Sequence, residues 1–390
     1  MSAKIKVGIL FGGRSVEHEV SVLTGFQALG AIDSSKYDVT PVYIARDNVW
    51  YMGEKMKDIA FFRQEQPALN ELTVVLPAPS AKRGKLILIP EDEGGLFSKP
   101  KRLELDCILP ACHGTFGEDG CLQGLLEMAG VPYASSDVRG SSTGMDKLLT
   151  KAVLTTAGIP VLPYCAVEKS GWESAQSAIL DNIEDDIGYP AFVKPAILGS
   201  SVGVSRANDR SELETAVDLA FHFGFNILVE PALTDFTEIN CAVLDGDPPI
   251  PSILEQPIAH GALLSFDDKY KGNAKQGASK GGKGMAAQTK LIPAPLDEEL
   301  TEYIQALAVG SFKAIGAGGV ARVDFLIDKE GKVFVNELNN IPGSFAFYLW
   351  EHMGKSFTQL LDKMIERAYE VNQRRNRTTF SFTANLLAGR

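Results

Sequence analysis

The chain has 390 residues, of which 45% are hydrophobic, and this size predicts two or three domains with substantial cores. Its formal net charge of −11 argues against a protein that binds nucleic acid or a membrane surface. The five cysteines have no CxxC spacing, which favours reduced thiols and a cytoplasmic location. The sequence shows no signal-peptide pattern and no run of 18 apolar residues, so we expect no membrane-spanning segment.

The N-terminal stretch predicts a doubly wound α/β unit. Residues 5–11 are apolar except for Lys6, as in a parallel strand buried on both faces. A Gly-Gly pair then leads to a predicted helix over 19–29 and a strand over 37–44. Glu17 follows the first strand, at the edge where such sheets bind ligands. An acid that only complements the helix dipole is an equally good interpretation.

A second buried strand is predicted over residues 105–111. It ends in the Gly-rich segment 113–120, and a helix is predicted over 121–129. His113 therefore lies at the carboxyl end of a strand beside an open turn, which favours a site residue over a structural histidine. We place the end of the first domain at residue 133.

The next segment combines a connector, a helix and two strands that carry acids. Residues 135–144 are polar and rich in Gly and Ser, which predicts a connector, and a helix is predicted to start at Lys147. Further along, one strand ends on Glu230 and Glu238 opens the following strand.

A short predicted strand carries Lys194 and leads into the loop 198–204. Ser200 and Ser201 are flanked there by glycines. Backbone N–H groups, hydroxyls and a lysine are the donors that hold phosphate groups, so the segment predicts a phosphate-binding loop. It is not a Walker A motif, and a solubilising turn is the alternative.

Residues 269–290 contain six lysines and no acidic residue, which reverses the charge of the chain locally. A disordered surface loop is one interpretation of this segment. The other is a mobile lid that closes over a polyanion such as a nucleoside triphosphate.

Two short strands, over residues 320–327 and 332–337, are predicted with a turn between them. Arg322 and Asp324 share one face of the first strand, and Glu337 and Asn339 share a face of the second. If the strands pair, three oxygen-bearing side chains converge beside one guanidinium, a set that suits Mg²⁺ in the company of phosphates. The alternative is a solvated hairpin whose charges have no function.

These features follow one another in a recognisable order. The segments concerned are FGGRSVEHEVS (11–21), HGTFGEDGCLQG (113–124), MDK (145–147), VKPAILGSSVGV (193–204), DDKY (267–270), ARVDF (321–325) and NELNNIPG (336–343). Together they resemble the ATP-grasp superfamily and, within it, the D-alanine–D-alanine ligase family, over nearly the whole chain.

The resemblance implies an α/β fold that is α+β in its ATP-grasp part. A Rossmann-like domain with a parallel sheet would precede a two-lobed ATP-grasp fold. The implied divisions are an N-terminal domain (1–133), a central lobe (134–230), a C-terminal lobe (231–378) with a lid (267–290), and a tail (379–390).

The resemblance also implies how ATP and metal ions are bound. The implied nucleotide contacts are Lys147 and Lys194 to phosphates, Glu230 to the adenine amino group, Glu238 to the ribose, Lys269 to the γ-phosphate, and Ser200 and Ser201 in the phosphate loop. The implied ligands of two Mg²⁺ ions, which Mn²⁺ can replace, are Asp324, Glu337 and Asn339.

For the reacting amino acids, the resemblance implies a separate set of contacts. Glu17 would receive the ammonium of the first D-alanine, with His113 nearby. Arg322 and the backbone N–H of Gly343 would stabilise the oxyanion of the tetrahedral intermediate. In addition, Ser200 and Tyr270 would bond with Glu17 and hold the lid closed.

The implied reaction joins two D-alanines through an acyl phosphate, for peptidoglycan precursor synthesis by a cytoplasmic homodimer. The second substrate stays open, because Tyr348 and Leu349 stand where the family has a Ser and a Leu or Met that hold its carboxylate. D-Serine, D-lactate and another amino acid are alternatives. A non-catalytic nucleotide-binding module is a further alternative.

The lid hypothesis predicts that ligands protect residues 269–290 from proteolysis. Addition of ATP, Mg²⁺ and D-alanine should slow tryptic cleavage in this segment, because a closed lid withdraws its lysines from solvent. Cleavage sites can be followed by mass spectrometry, with D-alanine alone as the control. Equal cleavage with and without the ligands would contradict the hypothesis.

Overall fold

The computed structural model describes residues 4–64, 67–80, 84–91, 102–199, 202–258 and 290–382, which contain three β-sheets. The strands are β1 (Ile5–Gly12), β2 (Tyr37–Ile44), β3 (Trp50–Met52), β4 (Thr73–Ser80), β5 (Lys85–Pro90), β6 (Leu103–Leu105), β7 (Cys107–Pro110), β8 (Cys165–Glu168), β9 (Ala191–Pro195), β10 (Ser205–Ala207), β11 (Asn226–Pro231), β12 (Thr237–Leu244), β13 (Ile250–Pro257), β14 (Lys290–Leu291), β15 (Val320–Ile327) and β16 (Val333–Asn339). The helices are α1 (His18–Ala31), α2 (Ile59–Phe62), α3 (Cys121–Ala129), α4 (Val138–Met145), α5 (Lys147–Thr156), α6 (Lys169–Asp186), α7 (Arg210–Ala220), α8 (Glu298–Ile315), α9 (Phe347–Glu351) and α10 (Phe357–Asn376). In the described part of the chain, no helix is long and apolar enough to cross a membrane.

The N-terminal sheet has the strand order β6-β5-β4-β3-β2-β1-β7. As the apolar run predicts, β1 lies in the interior and pairs in parallel with β2 and β7. The remaining strands, from β3 to β6, are antiparallel. The parallel sheet expected from the sequence is therefore three strands wide and continues into an antiparallel extension.

The turn after β1 requires glycine. Gly12 has a φ of +93°, and a Cβ there would lie 2.2 Å from the backbone oxygen of Ile44. The turn delivers Glu17 and the start of α1 to the carboxyl edge of the sheet, next to the segment that follows β7. Both predicted N-terminal site segments consequently meet at one edge.

The central sheet, β10-β9-β11-β8, is antiparallel and packs against α6 and α7. The C-terminal sheet, β14-β13-β12-β15-β16, is also antiparallel and packs against α8. Its register confirms the predicted hairpin, because Arg322 lies opposite Asn339 and Asp324 lies opposite Glu337. The hairpin face that carries the charges is itself buried at Arg322 and Asp324, which rules out the solvated alternative for these two residues.

The predicted connector over 135–144 is wrong in part, because residues 138–145 form α4. The Asp137 side chain accepts a hydrogen bond from the Gly140 N–H and caps this helix. Leu154 and Ile159, which follow in the chain, pack in the core of the C-terminal sheet. The division of the chain at residue 134 stays a prediction.

A shared core joins the N-terminal sheet to the C-terminal end of the chain. Side chains of β1, such as Ile9 and Phe11, belong to the same buried cluster as Phe345, Trp350 and residues of α10. The segment after the hairpin therefore packs against α1 and the N-terminal sheet, which brings it to the edge that carries Glu17.

Close packing of α4 makes a stability prediction. A Cβ at Gly140 would lie 2.2 Å from the backbone oxygen of Gly316, whereas a Cβ at Gly124 of α3 meets no atom within 4 Å. We expect Gly140→Ala to lower the free energy of unfolding by about 1–3 kcal/mol. The matched control Gly124→Ala should raise it by about 0.5–1 kcal/mol, because alanine favours helix. Thermal unfolding measures both, and equal midpoints for the two variants would contradict the close contact.

Candidate active site

A cleft forms where the three sheets meet. Its lining combines residues after β1 and β7, the start of α5, the loop after β9 and the end of β16. The lining residues are Glu17, Glu118, Gly144, Met145, Lys147, Thr150, Leu198, Gly199, Asn336, Glu337, Leu338, Asn339 and Asn340. Four residues predicted from distant parts of the sequence, Glu17, Lys147, Glu337 and Asn339, thus line one cleft.

The hairpin places the predicted metal-binding side chains together. Asp324 is 2% exposed and accepts hydrogen bonds from Arg322 Nε (2.6 Å) and Nη2 (2.7 Å), and from Asn339 Nδ2 (3.1 Å). Burial acts to lower the pKa of Arg322, but the charge of Asp324 outweighs it and raises the pKa. Arg322 is therefore a permanent buried cation beside the oxygen-bearing side chains.

The donor set fits a hard cation. Asp324, Glu337 and Asn339 offer two carboxylates and one amide oxygen, the ligand chemistry that Mg²⁺ prefers. Among the described residues there is no cluster of three or more His, Cys, Asp or Glu side chains that could hold a metal ion. A cation bound here needs further oxygen ligands, which phosphate groups and water supply.

Near the end of the cleft that contains Lys147, two lysines contact one buried acid. Glu230 is 1% exposed, with Lys151 Nζ 2.8 Å from its Oε2, and it also pairs with Lys194 through Oε1. Lys194 in turn donates to Asn336 Oδ1 at 3.3 Å, and Lys147 donates to the backbone oxygen of Leu198 at 2.6 Å. The predicted phosphate-binding lysines thus connect the central sheet to β16 and to the loop after β9.

The electrostatics of this group are coupled. Burial acts to raise the pKa of Glu230, but the ammonium groups of Lys194 and Lys151 outweigh it and lower the pKa. The pKa of Lys151 is lowered, because its burial outweighs the attraction of Glu230. Both carboxylate oxygens of Glu230 contact lysines. The contact of Glu230 with adenine stays a prediction. Glu238 is half-buried at the start of β12.

The sequence interpretation missed Lys151. Its position four residues after Lys147, on the same face of α5, was an available signal. It did not stand out because a lysine in a helix is ordinarily a solvated side chain.

At the opposite end of the cleft, glycines let backbone approach the Glu17 carboxylate. A Cβ at Gly114 or at Gly199 would lie 2.7 Å from Glu17 Oε2. His113 Nε2 lies 2.8 Å from Thr24 Oγ1, and burial lowers the pKa of His113 to about 4. The imidazole is therefore neutral at pH 7 and contributes polarity but no charge to this end of the cleft.

A second acid, Glu118, was also missed. Its Oε2 accepts from the Gly114 N–H and its Oε1 accepts from the Ile341 N–H, both at 2.7 Å. Burial, followed by the negative charge of Glu17, raises the pKa of Glu118 to about 8. At pH 7 Glu118 is therefore mostly protonated, and Glu17 is the acid at this end of the cleft that is suited to receive an ammonium group.

The turn after the hairpin has an unusual backbone. Ser344, Phe345 and Ala346 have φ values of 56°, 52° and 49°, a region that non-glycine residues rarely occupy. The Ser344 N–H donates to Thr24 Oγ1 at 3.0 Å, which ties this turn to α1 and brings Gly343 near His113. Beyond the turn, the Tyr348 hydroxyl donates to Glu255 Oε1 at 2.9 Å, and Leu349 is fully buried.

Part of the predicted site lies outside the described residues. It comprises Ser200, Ser201, Lys269, Tyr270 and the lid as far as residue 289.

Comparison with known proteins identifies the family. The family model for the N-terminal part of D-Ala–D-Ala ligases matches residues 6–136, and the model for the C-terminal part matches residues 153–366. The chain belongs to the D-alanine–D-alanine ligase family. The D-alanine–D-alanine ligase of Thermosipho africanus is 36% identical to it over 382 residues, which is 98% of each chain.

Solved structures of the D-alanine–D-alanine ligase family are similar throughout. The D-alanine–D-alanine ligase of Coxiella burnetii has a TM-score of 0.76 and 30% identity, and the similarity covers 96% of each chain. The VanG D-Ala:D-Ser ligase of Enterococcus faecalis has a TM-score of 0.77 and 29% identity, covering 94% of this chain and all of the other. The expected fold, an N-terminal α/β domain followed by an ATP-grasp fold, is confirmed.

The buried ion pairs make a pH prediction for this ligase-family chain. The folded-state pKa of Glu230 lies below its ordinary 4.5, so its stabilising effect is present above that pH and is lost as the pH falls through the folded pKa. In Lys151→Met the pKa of Glu230 should rise, so acid unfolding should begin at a higher pH. Stability at pH 7 should also fall, by about 1–3 kcal/mol.

Unfolding followed by circular dichroism from pH 7 to pH 3 measures the acid midpoint. Lys313→Met, at an exposed lysine in the last turn of α8, is the matched control and should leave this midpoint nearly unchanged. Identical acid midpoints for Lys151→Met and the parent protein would rule out the proposed coupling.

Proposed function

We propose that this chain joins two D-alanine molecules in an ATP-dependent reaction that proceeds through an acyl phosphate. One observation supports this most strongly: the carboxylate-lined end at Glu17 and the oxygen-bearing side chains of Glu337 and Asn339 line the same cleft. An amino acid held by its ammonium at one end has its carboxylate directed at the phosphate-binding end. The product would serve peptidoglycan precursor synthesis.

The residues at the nucleotide end have assigned roles in the proposal. Lys147 and Lys194 hold ATP phosphates, Glu230 and Glu238 contact the adenine and ribose, and Asp324, Glu337 and Asn339 hold two Mg²⁺ or Mn²⁺ ions. These ions supply positive charge that neutralises the crowded phosphate oxygens. Ser200, Ser201, Lys269 and Tyr270 keep their predicted roles in the phosphate loop and the lid.

Activation of the first carboxylate follows from charge placement. Glu17 receives the ammonium of the first D-alanine, and Glu118, mostly protonated at pH 7, lies beside it. Neutral His113 adds no competing positive charge at this end. A carboxylate oxygen of D-alanine attacks the γ-phosphorus of ATP, the bond from that phosphorus to the bridging oxygen breaks, and ADP leaves. Arg322 stabilises the negative charge that accumulates in this step.

Amide bond formation completes the reaction. The amine of the second amino acid, in its unprotonated form, attacks the acyl carbon, and inorganic phosphate leaves. Arg322 and the Gly343 N–H stabilise the oxyanion that forms on the acyl oxygen. The turn at 343–346, hydrogen-bonded to α1 through Thr24, holds that N–H in position.

One observation favours a second candidate, a ligase with another acceptor. Tyr348 is larger than the serine that the family resemblance implies, and its hydroxyl is bound to Glu255. The acceptor pocket therefore differs in size and polarity from the expected one. D-Serine, D-lactate and other small amino acids are the competing acceptors. A cytoplasmic homodimer is proposed from the family resemblance alone.

The proposed function predicts ATP-dependent ligation of D-alanine alone. With ATP and Mg²⁺, release of ADP and phosphate should require D-alanine, and D-alanyl-D-alanine should be the product. The assay measures ADP release and identifies dipeptides across a panel of D- and L-amino acids and D-lactate. No turnover with D-alanine as the only amino acid would overturn the proposal, and turnover only with a mixed pair would support the second candidate.

The control for this assay removes the two carboxylates of the hairpin. Asp324→Ala combined with Glu337→Ala should lower turnover by at least about 10²–10³-fold, because phosphate charge is no longer neutralised. Full activity of this variant would contradict the assigned metal site. The alternative of a non-catalytic nucleotide-binding module predicts instead that the parent protein releases no ADP.

A further inference from the structure

A buried polar cluster lies where the chain leaves the turn at 343–346. Glu255 on β13 is 1% exposed and accepts from the Tyr348 hydroxyl (2.9 Å) and from Asn240 Nδ2 (3.2 Å). Lys290 on β14 places its Nζ 3.1 Å from Glu255 Oε2 and 3.4 Å from the centre of the Tyr348 ring. Glu255, Lys290 and Tyr348 are called the turn-exit cluster below.

The cluster lies on the same row of the sheet as the reaction hairpin. Glu255 lies opposite Asn240, and Asn240 lies opposite Asp324. Since neighbouring strands are about 4.8 Å apart, Glu255 lies about 10 Å from Asp324. Arg322 is close enough for its charge to act on both Lys290 and Tyr348, so the cluster lies beside the hairpin.

The geometry of the acceptor directs its carboxylate toward this cluster. In an α-amino acid the amine and the carboxylate are attached to one carbon. When the amine approaches the acyl carbon near Arg322 and Gly343, the carboxylate must lie within a few ångströms of the same turn. An anion buried there needs a cation or several donors to offset the loss of solvation.

Lys290 meets this requirement better than Arg322. Arg322 donates two hydrogen bonds to Asp324, so its guanidinium is already oriented toward the hairpin. The ring of Tyr348 holds the Lys290 ammonium in place without neutralising its charge. Glu255 accepts hydrogen bonds from Asn240 and Tyr348 in addition to pairing with Lys290, so Lys290 is one of three groups that share its charge.

We propose that Lys290 binds the carboxylate of the second amino acid, with Glu255 and Tyr348 as positioning residues that hold its ammonium at the turn. Position 348 carries a tyrosine instead of the small serine that the family resemblance implies. In this chain Lys290 therefore takes over recognition of the acceptor carboxylate. The inference rests on the proposed function, because it concerns the acceptor of that ligation.

The test resolves the two D-alanine sites kinetically, from the dependence of dipeptide formation on D-alanine concentration. Lys290→Met should raise the KM of the second site by about 10- to 100-fold, the effect of losing one charge-assisted hydrogen bond. The KM values of the first site and of ATP should stay within about twofold. Lys290→Arg, which keeps the charge, should restore most of the affinity.

A merely structural role for Lys290 is tested by a double variant. Lys290→Met leaves Glu255 buried without its ammonium partner and should lower the thermal midpoint, whereas Lys290→Met with Glu255→Gln removes that unpaired charge and should restore the midpoint. If Lys290 binds the acceptor carboxylate, the second-site KM of the double variant stays high. Recovery of this KM together with the midpoint would overturn the inference.

An acceptor without a carboxylate gives an independent readout. D-Alaninamide cannot be phosphorylated as a first substrate, so with limiting D-alanine it reports on the second site alone. The parent protein should prefer D-alanine over D-alaninamide as acceptor, and Lys290→Met should lose most of this preference. An unchanged preference would overturn the inference, whereas failure of the parent protein to ligate any acceptor would overturn the proposed function itself.

Discussion

The two hydrogen bonds between Arg322 and Asp324 are the interaction on which the rest of the site depends. Moving two charges out of water costs several kcal/mol for each ion, and only good geometry with further hydrogen bonds offsets that cost. Here the side chains lie two residues apart on one face of β15, and Asn339 on the neighbouring strand adds a third hydrogen bond. The pair is therefore compatible with one register of the hairpin, since a shift by one residue would turn these side chains to the opposite face.

From this pair, polar groups extend across the sheet in one row. Glu337, Asp324, Asn240 and Glu255 lie opposite one another on four successive strands. One end of the row belongs to the cleft that also contains Glu17, and the other end reaches the turn-exit cluster. The row thus divides the proposed chemistry by position, with phosphate groups at the hairpin and the acceptor at β13 and β14.

Many strands and helices could be predicted from the sequence, because the signals that mark them are local. The strand over Val320–Ile327 and the α3 helix over Cys121–Ala129 agree with their predicted limits, since alternation and capping glycines mark them. The antiparallel strands β3, β4 and β6 and the short α4 helix were not predicted. β3 and β6 have three residues each, β4 contains two prolines, and the α4 segment is rich in Gly and Ser, so neither periodicity nor propensity distinguishes these segments from connections.

The residues that sequence reasoning missed share one physical property. Lys151, Glu118 and Glu255 are ionisable side chains that are less than 8% exposed, and each has a hydrogen-bond or ion-pair partner distant in the chain. A charged residue in a helix or turn is ordinarily solvated, so its sequence alone gives no reason to expect burial. Only the packing of separate elements shows that such a group has been removed from water and is held by Glu230, Ile341 or Tyr348.

The sequence by itself determined the family, the order of the elements and the residues of the hairpin, because glycine turns, strand alternation and motif spacing are properties of short segments. The tertiary structure decided which distant charges meet. It placed Glu118 beside Glu17, Lys151 on Glu230, and Lys290 on Glu255 and Tyr348. The reason is that the stability of a buried charge depends on its partners and on the loss of water around it, and both are established only when the sheets pack together.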